Sequence, residues 1–204
     1  MNKIVPVYKP VGFSSYDMIR VFKRKEGFKG KIGHGGTLDP FACGVLLLLL
    51  GEATKRFEEI KKWEKVYLAG LKLGAVSSTG DPEGEIEMKN CQKPILKEIK
   101  ETIRLFEGEI EQKVPVKSAA KYKGRPLYKV KEKIEKKKKV YIRKVEILKY
   151  KFPLLTIRVF CQGGVYIRQL AEDIRERLKC GSFLYFLKRE KVGSFSEKEA
   201  RRII

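Results

Sequence analysis

Gly33-His34-Gly35-Gly36-Thr37-Leu38-Asp39-Pro40 is the stretch on which the reading of this chain turns. Three of its first four residues are glycine, which is too many for a helix or a regular strand, so a loop of specified shape is expected. Glycine loops often cradle phosphates. This one lacks the G-x-x-x-x-G-K-[ST] pattern, contains no lysine, and lacks the helix-start geometry of G-x-G-x-x-G. What it presents is a carboxylate, Asp39, held between Leu38 and Pro40. Aspartate before proline is common in turns, and taken alone such a position is more often structural than catalytic. His34 is the only histidine in the chain. A lone histidine cannot build a metal site, and its plain role is a hydrogen bond within the loop.

Working outward, Lys9-Pro10-Val11-Gly12-Phe13-Ser14-Ser15 reads as an extended segment with a tight turn, because Pro10 fixes φ and Gly12 permits positive φ. Ser15 is expected to N-cap a helix from about Tyr16 to Lys25, with Ile19 and Phe22 on one face. Beyond the loop, the apolar run Val45–Leu50 fits a buried strand or part of a core helix, and is well short of a membrane span. Gly51-Glu52-Ala53-Thr54-Lys55 leads into a helix near Lys55–Lys62. Lys65–Leu73 alternates as a strand partly covered on both faces. Gly80-Asp81-Pro82-Glu83-Gly84 is a turn, with Gly84–Met88 pairing back as a strand. Pro94–Phe106 has Ile95, Ile99, Ile103 and Phe106 spaced for one buried helix face. Leu154–Cys161 reads as a strand, Gln162-Gly163-Gly164 as a turn, and Tyr166–Leu178 as a helix closed near Cys180-Gly181. No repeat, linker or domain boundary stands out. The expectation is one α+β domain, residues 1–204, built round a mixed sheet.

The 204 residues and 43% hydrophobic content are enough for a proper core. The net charge is +21, from 46 basic against 25 acidic residues. A lysine-rich thermophile habit would raise glutamate together with lysine, so the excess points to a polyanionic partner, nucleic acid before an acidic membrane surface. The most basic stretch is Lys129–Lys151, with an uninterrupted run at Lys136–Lys139. It fits both a solvated hairpin with a lysine fringe and an arm that tracks a nucleic-acid backbone. Cys43, Cys91, Cys161 and Cys180 are widely separated, so neither a zinc knuckle nor a disulfide scaffold is expected. No secretory signal opens the chain. A cytoplasmic, soluble protein with reduced cysteines is expected.

Several segments together resemble the TruB family of tRNA pseudouridine synthases. They are Lys9-Pro10-x-Gly12, Gly33–Pro40, Gly51-Glu52-Ala53-Thr54-Lys55, Lys65-x-Tyr67, Leu73-Gly74 and Gly80-Asp81-x-x-Gly84, followed by Pro115-x-x-Ser118-Ala119-x-Lys121, Gly124-x-x-Leu127-Tyr128, Gly164-Val165-Tyr166-Ile167-Arg168 and Leu187-Lys188-Arg189. Each is weak alone; their joint order over nearly the whole chain is specific. The resemblance implies a pseudouridine synthase fold, with a mixed, mostly antiparallel central sheet flanked by helices and loops. It makes Asp39 the nucleophile, Tyr67 the tyrosine that packs on the target base and takes part in proton transfer, and Arg168 the arginine that pairs with the aspartate. Tyr166 and Leu187 would line the uridine pocket, and Asp81 would belong to the substrate-binding set. His34 would enter the space left in the RNA by the extruded base. Lys9, Pro10 and Gly12 would buttress the Asp39 loop.

The chemistry suits those residues. Converting uridine to pseudouridine breaks N1–C1′, rotates the uracil and forms C5–C1′, with no change in composition or oxidation state. No metal or other cofactor is expected. A carboxylate can add covalently or stabilise a cationic sugar, an arginine beside it would keep it ionised, and an aromatic face can hold the free base. Extrusion of the base requires something to fill its place. Two departures stand out. Gly35 replaces the threonine of the family's usual Gly-His-Thr-Gly, and no C-terminal RNA-binding domain of the PUA type is recognised, a lack for which a Lys-rich arm near residues 121–151 would compensate. The expected substrate is the T stem-loop of tRNA, at pseudouridine-55, with the enzyme acting as a monomer without protein partners. A guide-RNA-directed synthase and a tRNA-folding protein are the alternatives.

Overall fold

The computed structural model describes residues 2–115, 121–122, 125–126 and 137–204. The expected motifs at Pro115–Lys121 and Gly124–Tyr128, and the arm up to Lys136, therefore lie largely outside the described residues.

Local signals fix the elements in chain order. Strand β1 is Ile4–Lys9 and helix α1 is Ser15–Glu26. Ser14, not Ser15, caps α1: its hydroxyl accepts from Asp17 N at 3.1 Å while the Asp17 carboxylate accepts from Ser14 N at 3.0 Å, a reciprocal box. Ser15, Met18, Ile19 and Phe22 form the buried stripe of α1. β2 is Ile32–His34, so the glycine stretch begins as a strand and becomes a loop only at Gly35; pairing with the buried strand β3, Cys43–Leu50, overrides the glycine content. A 3-10 turn at Gly51–Arg56 precedes α2, Phe57–Lys62. There follow β4 (Lys65–Leu73), β5 (Ala75–Ser77), β6 (Ile86–Met88), α3 (Leu96–Arg104) and β7 (Gly108–Lys113). Then come the two-residue strands β8 (Lys121–Tyr122) and β9 (Arg125–Pro126), β10 (Lys137–Lys151), β11 (Leu154–Cys161), α4 (Ile167–Leu178), β12 (Ser182–Val192) and β13 (Phe195–Ser196). Among the described residues the main sheet runs β1-β3-β12-β4-β11-β10-β7, with β2 on β3 and β13 on β12. It is the mostly antiparallel sheet of an α+β fold; β12 meets β3 in parallel.

The chain divides into two compact units. The first holds residues 1–68, 160–164 and 187–204, the second 69–159 and 165–186. Three of the crossings fall inside β4, β11 and β12, which is why no linker marks them in the sequence.

In the first unit β3 resolves the ambiguity of the apolar run. Leu46, Leu48 and Leu50 face a cluster with Val5, Val7, Met18, Phe22 and Ile203. Val45, Leu47 and Leu49 face another with Ala53, Ile60 and Val192. A strand covered on both faces needs no polar alternation. In the second unit Ile99 and Ile103 of α3 are buried, but Ile95 is 59% exposed because the helix starts only at Leu96. Cys91 and Cys180, 89 residues apart in sequence, form a disulfide with Cα atoms 5.2 Å apart, against the expectation of reduced cysteines; Cys43 and Cys161 are free and buried. The left-handed residue ending α4 is Lys179 rather than Gly181. No helix among the described residues is long and apolar enough to cross a membrane.

Candidate active site

Asp39 sits in the first unit, on a loop whose backbone is fastened from three directions. Ser15, released from capping by Ser14, turns its hydroxyl to Leu38, accepting from Leu38 N at 2.9 Å and donating to Leu38 O at 3.1 Å. One hydroxyl has the donor and lone pairs for both. Lys9, fully buried, donates to Phe13 O at 2.6 Å, Pro10 O at 2.9 Å and Pro40 O at 3.3 Å. Gly12, at φ 87°, brings its own N–H to Pro40 O at 2.9 Å, a conformation a side chain would oppose. Lys9 and Gly12 thus share one acceptor, Pro40 O, next to Asp39. Arg189 completes the frame: Nη2 donates to Gly36 O at 3.1 Å, Nη1 to Thr37 O at 3.3 Å and Nε to Val45 O at 2.7 Å. Asp39 itself is half-buried, and its carbonyl accepts from Ala42 N at 3.1 Å.

Replacing Ser15 by Ala leaves two buried backbone groups of Leu38 without their partner. The expected loss is about 1–3 kcal/mol of stability, seen as a lower melting temperature. Any catalytic rate should fall at unchanged RNA affinity. An unaltered melt would show that Leu38 finds other partners.

Tyr67 on β4 and Leu187 on β12 are buried in the same unit. Burial pushes the Tyr67 phenol up; the Arg189 charge opposes this, and the Asp39 charge adds to it. The phenol is therefore neutral at neutral pH. Two residues earlier, Lys65 donates to Lys61 O at 3.0 Å and Trp63 O at 2.7 Å, and burial pushes its amine down to about 8. His34 ends β2, half-buried; burial, with Arg189 nearby, holds its imidazole below the usual range, so it too is neutral at pH 7. Its Nδ1 is buried with no hydrogen-bond partner among the described residues, so the simple loop hydrogen bond is not made through that atom.

The second unit carries Arg168, Asp81 and Tyr166. Arg168, in the first turn of α4, donates from Nη1 to Asp81 Oδ2 at 2.8 Å; their side chains are 11% and 3% exposed. Asp81 also accepts at Oδ1 from Thr79 Oγ1 at 2.5 Å and from Glu83 N at 3.1 Å. This is the geometry of a carboxylate that holds an arginine in place. Tyr166 precedes α4, its backbone gripped by Gln112, which accepts from Tyr166 N at 3.1 Å and donates to Tyr166 O at 3.3 Å. Lys138 Nζ lies 4.4 Å from the centre of the Tyr166 ring. The lysine run is therefore not uniform. On β10 the side chains alternate: Lys137 and Lys139 pair with Glu111 at 3.0 Å and Glu109 at 2.9 Å on β7, and Lys138 turns to the other face. Sequence reading missed the roles of Arg189, Gln112 and Lys138. For Lys138 the period of two within the run was a usable signal.

Residues 20–167 match the family described as TruB family pseudouridylate synthase (N terminal domain). The chain is 40% identical over 199 residues to a tRNA pseudouridine synthase B of Endomicrobium trichonymphae, covering 95% of this chain and 86% of that protein. It is also 40% identical over 204 residues to one of Caldicellulosiruptor saccharolyticus, covering 98% of this chain and 70% of that protein. Among solved structures it resembles a chain of a Cbf5-Nop10-Gar1 complex, at 27% identity and a TM-score of 0.75, over 95% of this chain. A chain of an H/ACA RNP bound to a substrate RNA containing 2'-deoxyuridine follows at 25% identity and a TM-score of 0.71. This chain spans about half the length of those solved chains, 50% and 48%.

Proposed function

Because the chain belongs to the TruB family of pseudouridylate synthases, we propose that its braced Asp39 is the nucleophile that isomerises uridine in the T loop of tRNA. The enzyme is a tRNA pseudouridine synthase, an isomerase, like the relatives with which it shares two residues in five. The observation that carries the finer reading is the loop itself. Ser15, Lys9 and Arg189 fix the backbone on both sides of Asp39. Such fixing is what a nucleophile needs to meet one atom of a substrate.

In this reading the target is uridine 55. The base leaves the stack, and the neutral His34 ring fills its place without the cost of burying a charge. Asp39 takes up the base or the sugar while N1–C1′ breaks. The freed uracil rests on the neutral phenol ring of Tyr67, with Leu187 as an apolar wall. It turns, C5–C1′ forms as the bond to Asp39 breaks, and the C5 proton is lost as N1 gains one. Arg168, which the resemblance makes the counter-ion of Asp39, is kept in its rotamer by Asp81. The reaction is assigned to the cytoplasm and to a single chain.

The second reading, in which a guide RNA selects the substrate, takes support from the solved relatives in Cbf5 and H/ACA complexes. The nearer curated relatives favour the direct route. Conversion of bare tRNA by this protein, with no other RNA or protein present, separates the two.

The substrate assignment is tested by comparing an isolated T-arm hairpin with whole tRNA across a salt series. The proposed contacts all act on the T loop, so the hairpin should be nearly as good a substrate. Lys137 and Lys139 already have carboxylate partners. Their phosphate contacts would be replacements, weak and sensitive to salt. Any advantage of whole tRNA should shrink as salt rises. A large preference that persists at high salt would place recognition beyond the T arm.

A further inference from the structure

We infer that Arg189 is a positioning residue for the reaction: one buried guanidinium fastens the Asp39 loop to the buried strand β3. The inference rests on the reading of Asp39 as nucleophile.

Arg189 is 1% exposed and the largest of the fully buried side chains. A guanidinium stays charged in a protein, so its burial is costly unless every donor has an acceptor. Its hydrogen bonds show what the charge is used for. Nη2 and Nη1 reach the carbonyls of Gly36 and Thr37, three and two residues before Asp39. Nε reaches Val45 O at the start of β3, which ties that loop to the most buried strand. Among the described residues the guanidinium thus bonds three carbonyls. The fold makes room for it from the opposite side: Arg189 pairs with Gly44 in the parallel β12–β3 register, and a Cβ on Gly44 would stand 2.3 Å from Arg189 O. A residue that merely filled space would need neither the fork nor the charge. The donors of Arg189 instead join the loop of the nucleophile to β3. An error of about 1 Å in such an arrangement can cost about 10²-fold in rate.

Lysine at this position keeps the charge but offers a single nitrogen, which cannot span Gly36 O, Thr37 O and Val45 O together. The test compares Arg189→Lys and Asp39→Asn with the parent protein, using single-turnover conversion at saturating unmodified tRNA, tRNA affinity and thermal melting. For Arg189→Lys the rate constant should fall by about 10²-fold, with tRNA affinity within twofold and a cooperative melt retained. Because a buried amine can prevent folding, Arg189→Met is made in parallel. It removes charge and bonds together at similar volume and should show the same split. A folded variant of either kind that turns over within threefold of the parent overturns the inference. So does a loss of rate matched by an equal loss of affinity, which would mark Arg189 as support for the fold alone. Turnover by Asp39→Asn would instead overturn the reading of the nucleophile, whatever Arg189 does.

Discussion

Asp39→Asn is expected to leave tRNA binding within a few-fold of the parent and to lower conversion by more than about 10⁴-fold. The two side chains have nearly the same shape, and the amide is not a nucleophile. The loop should survive the change because its braces act on backbone atoms: Ser15 on Leu38 N and O, Lys9 and Gly12 on Pro40 O, and Arg189 on Gly36 O and Thr37 O. Affinity should survive because phosphate contacts dominate it. The measurement is a single-turnover assay beside a binding titration. Slow but real turnover by the purified variant would remove Asp39 from the role given to it.

Arg168→Lys is the second large effect. Arg168 and Asp81 form a pair almost wholly out of water, joined at 2.8 Å, with Asp81 further held by Thr79 Oγ1 and Glu83 N. Lysine retains the charge and loses the planar fork that can serve Asp81 and a second acceptor at once. The chemical step is expected to slow by about 10²–10³-fold with little change in tRNA affinity. Asp81→Asn is the companion variant. It leaves the arginine buried against a neutral amide, a change that costs about 3–5 kcal/mol when a buried pair is broken, and it should lower the melting temperature more than Arg168→Lys does. Near-normal single-turnover rates for Arg168→Lys would mean that the guanidinium has no part in the chemistry.

Much of this was legible in the sequence, for identifiable reasons. The glycine-rich loop and its carboxylate could be found because glycine and proline declare where a backbone turns. The stripe of α1 and the alternation of β4 and β11 follow from periodicity. Val45–Leu50 could not be settled alone, since a run buried on all sides carries no period; only its two separate clusters show it to be a strand. Ser14 and Ser15 could not be told apart, because both suit an N-cap and the choice depends on Leu38, 23 residues away. The Cys91–Cys180 bond joins residues 89 apart, and spacing says nothing at that range. Arg189 stood in a quoted motif without a role. A charged residue reads as surface until a structure supplies its three acceptors, and those come from loop and strand positions far from it in sequence. The catalytic set was named through its resemblance to a family; the physical pattern alone reached only a carboxylate in a shaped loop.

The central claim is that this chain, unaided, makes pseudouridine in the T loop of tRNA through the site built round Asp39. The most direct test incubates the purified protein with unmodified transcript tRNA and maps pseudouridine along the whole molecule by chemical labelling and primer extension. The account predicts a single strong stop, at uridine 55, that grows with time to near-complete conversion. No stop, or stops at uridines outside the T loop with uridine 55 untouched, would contradict it.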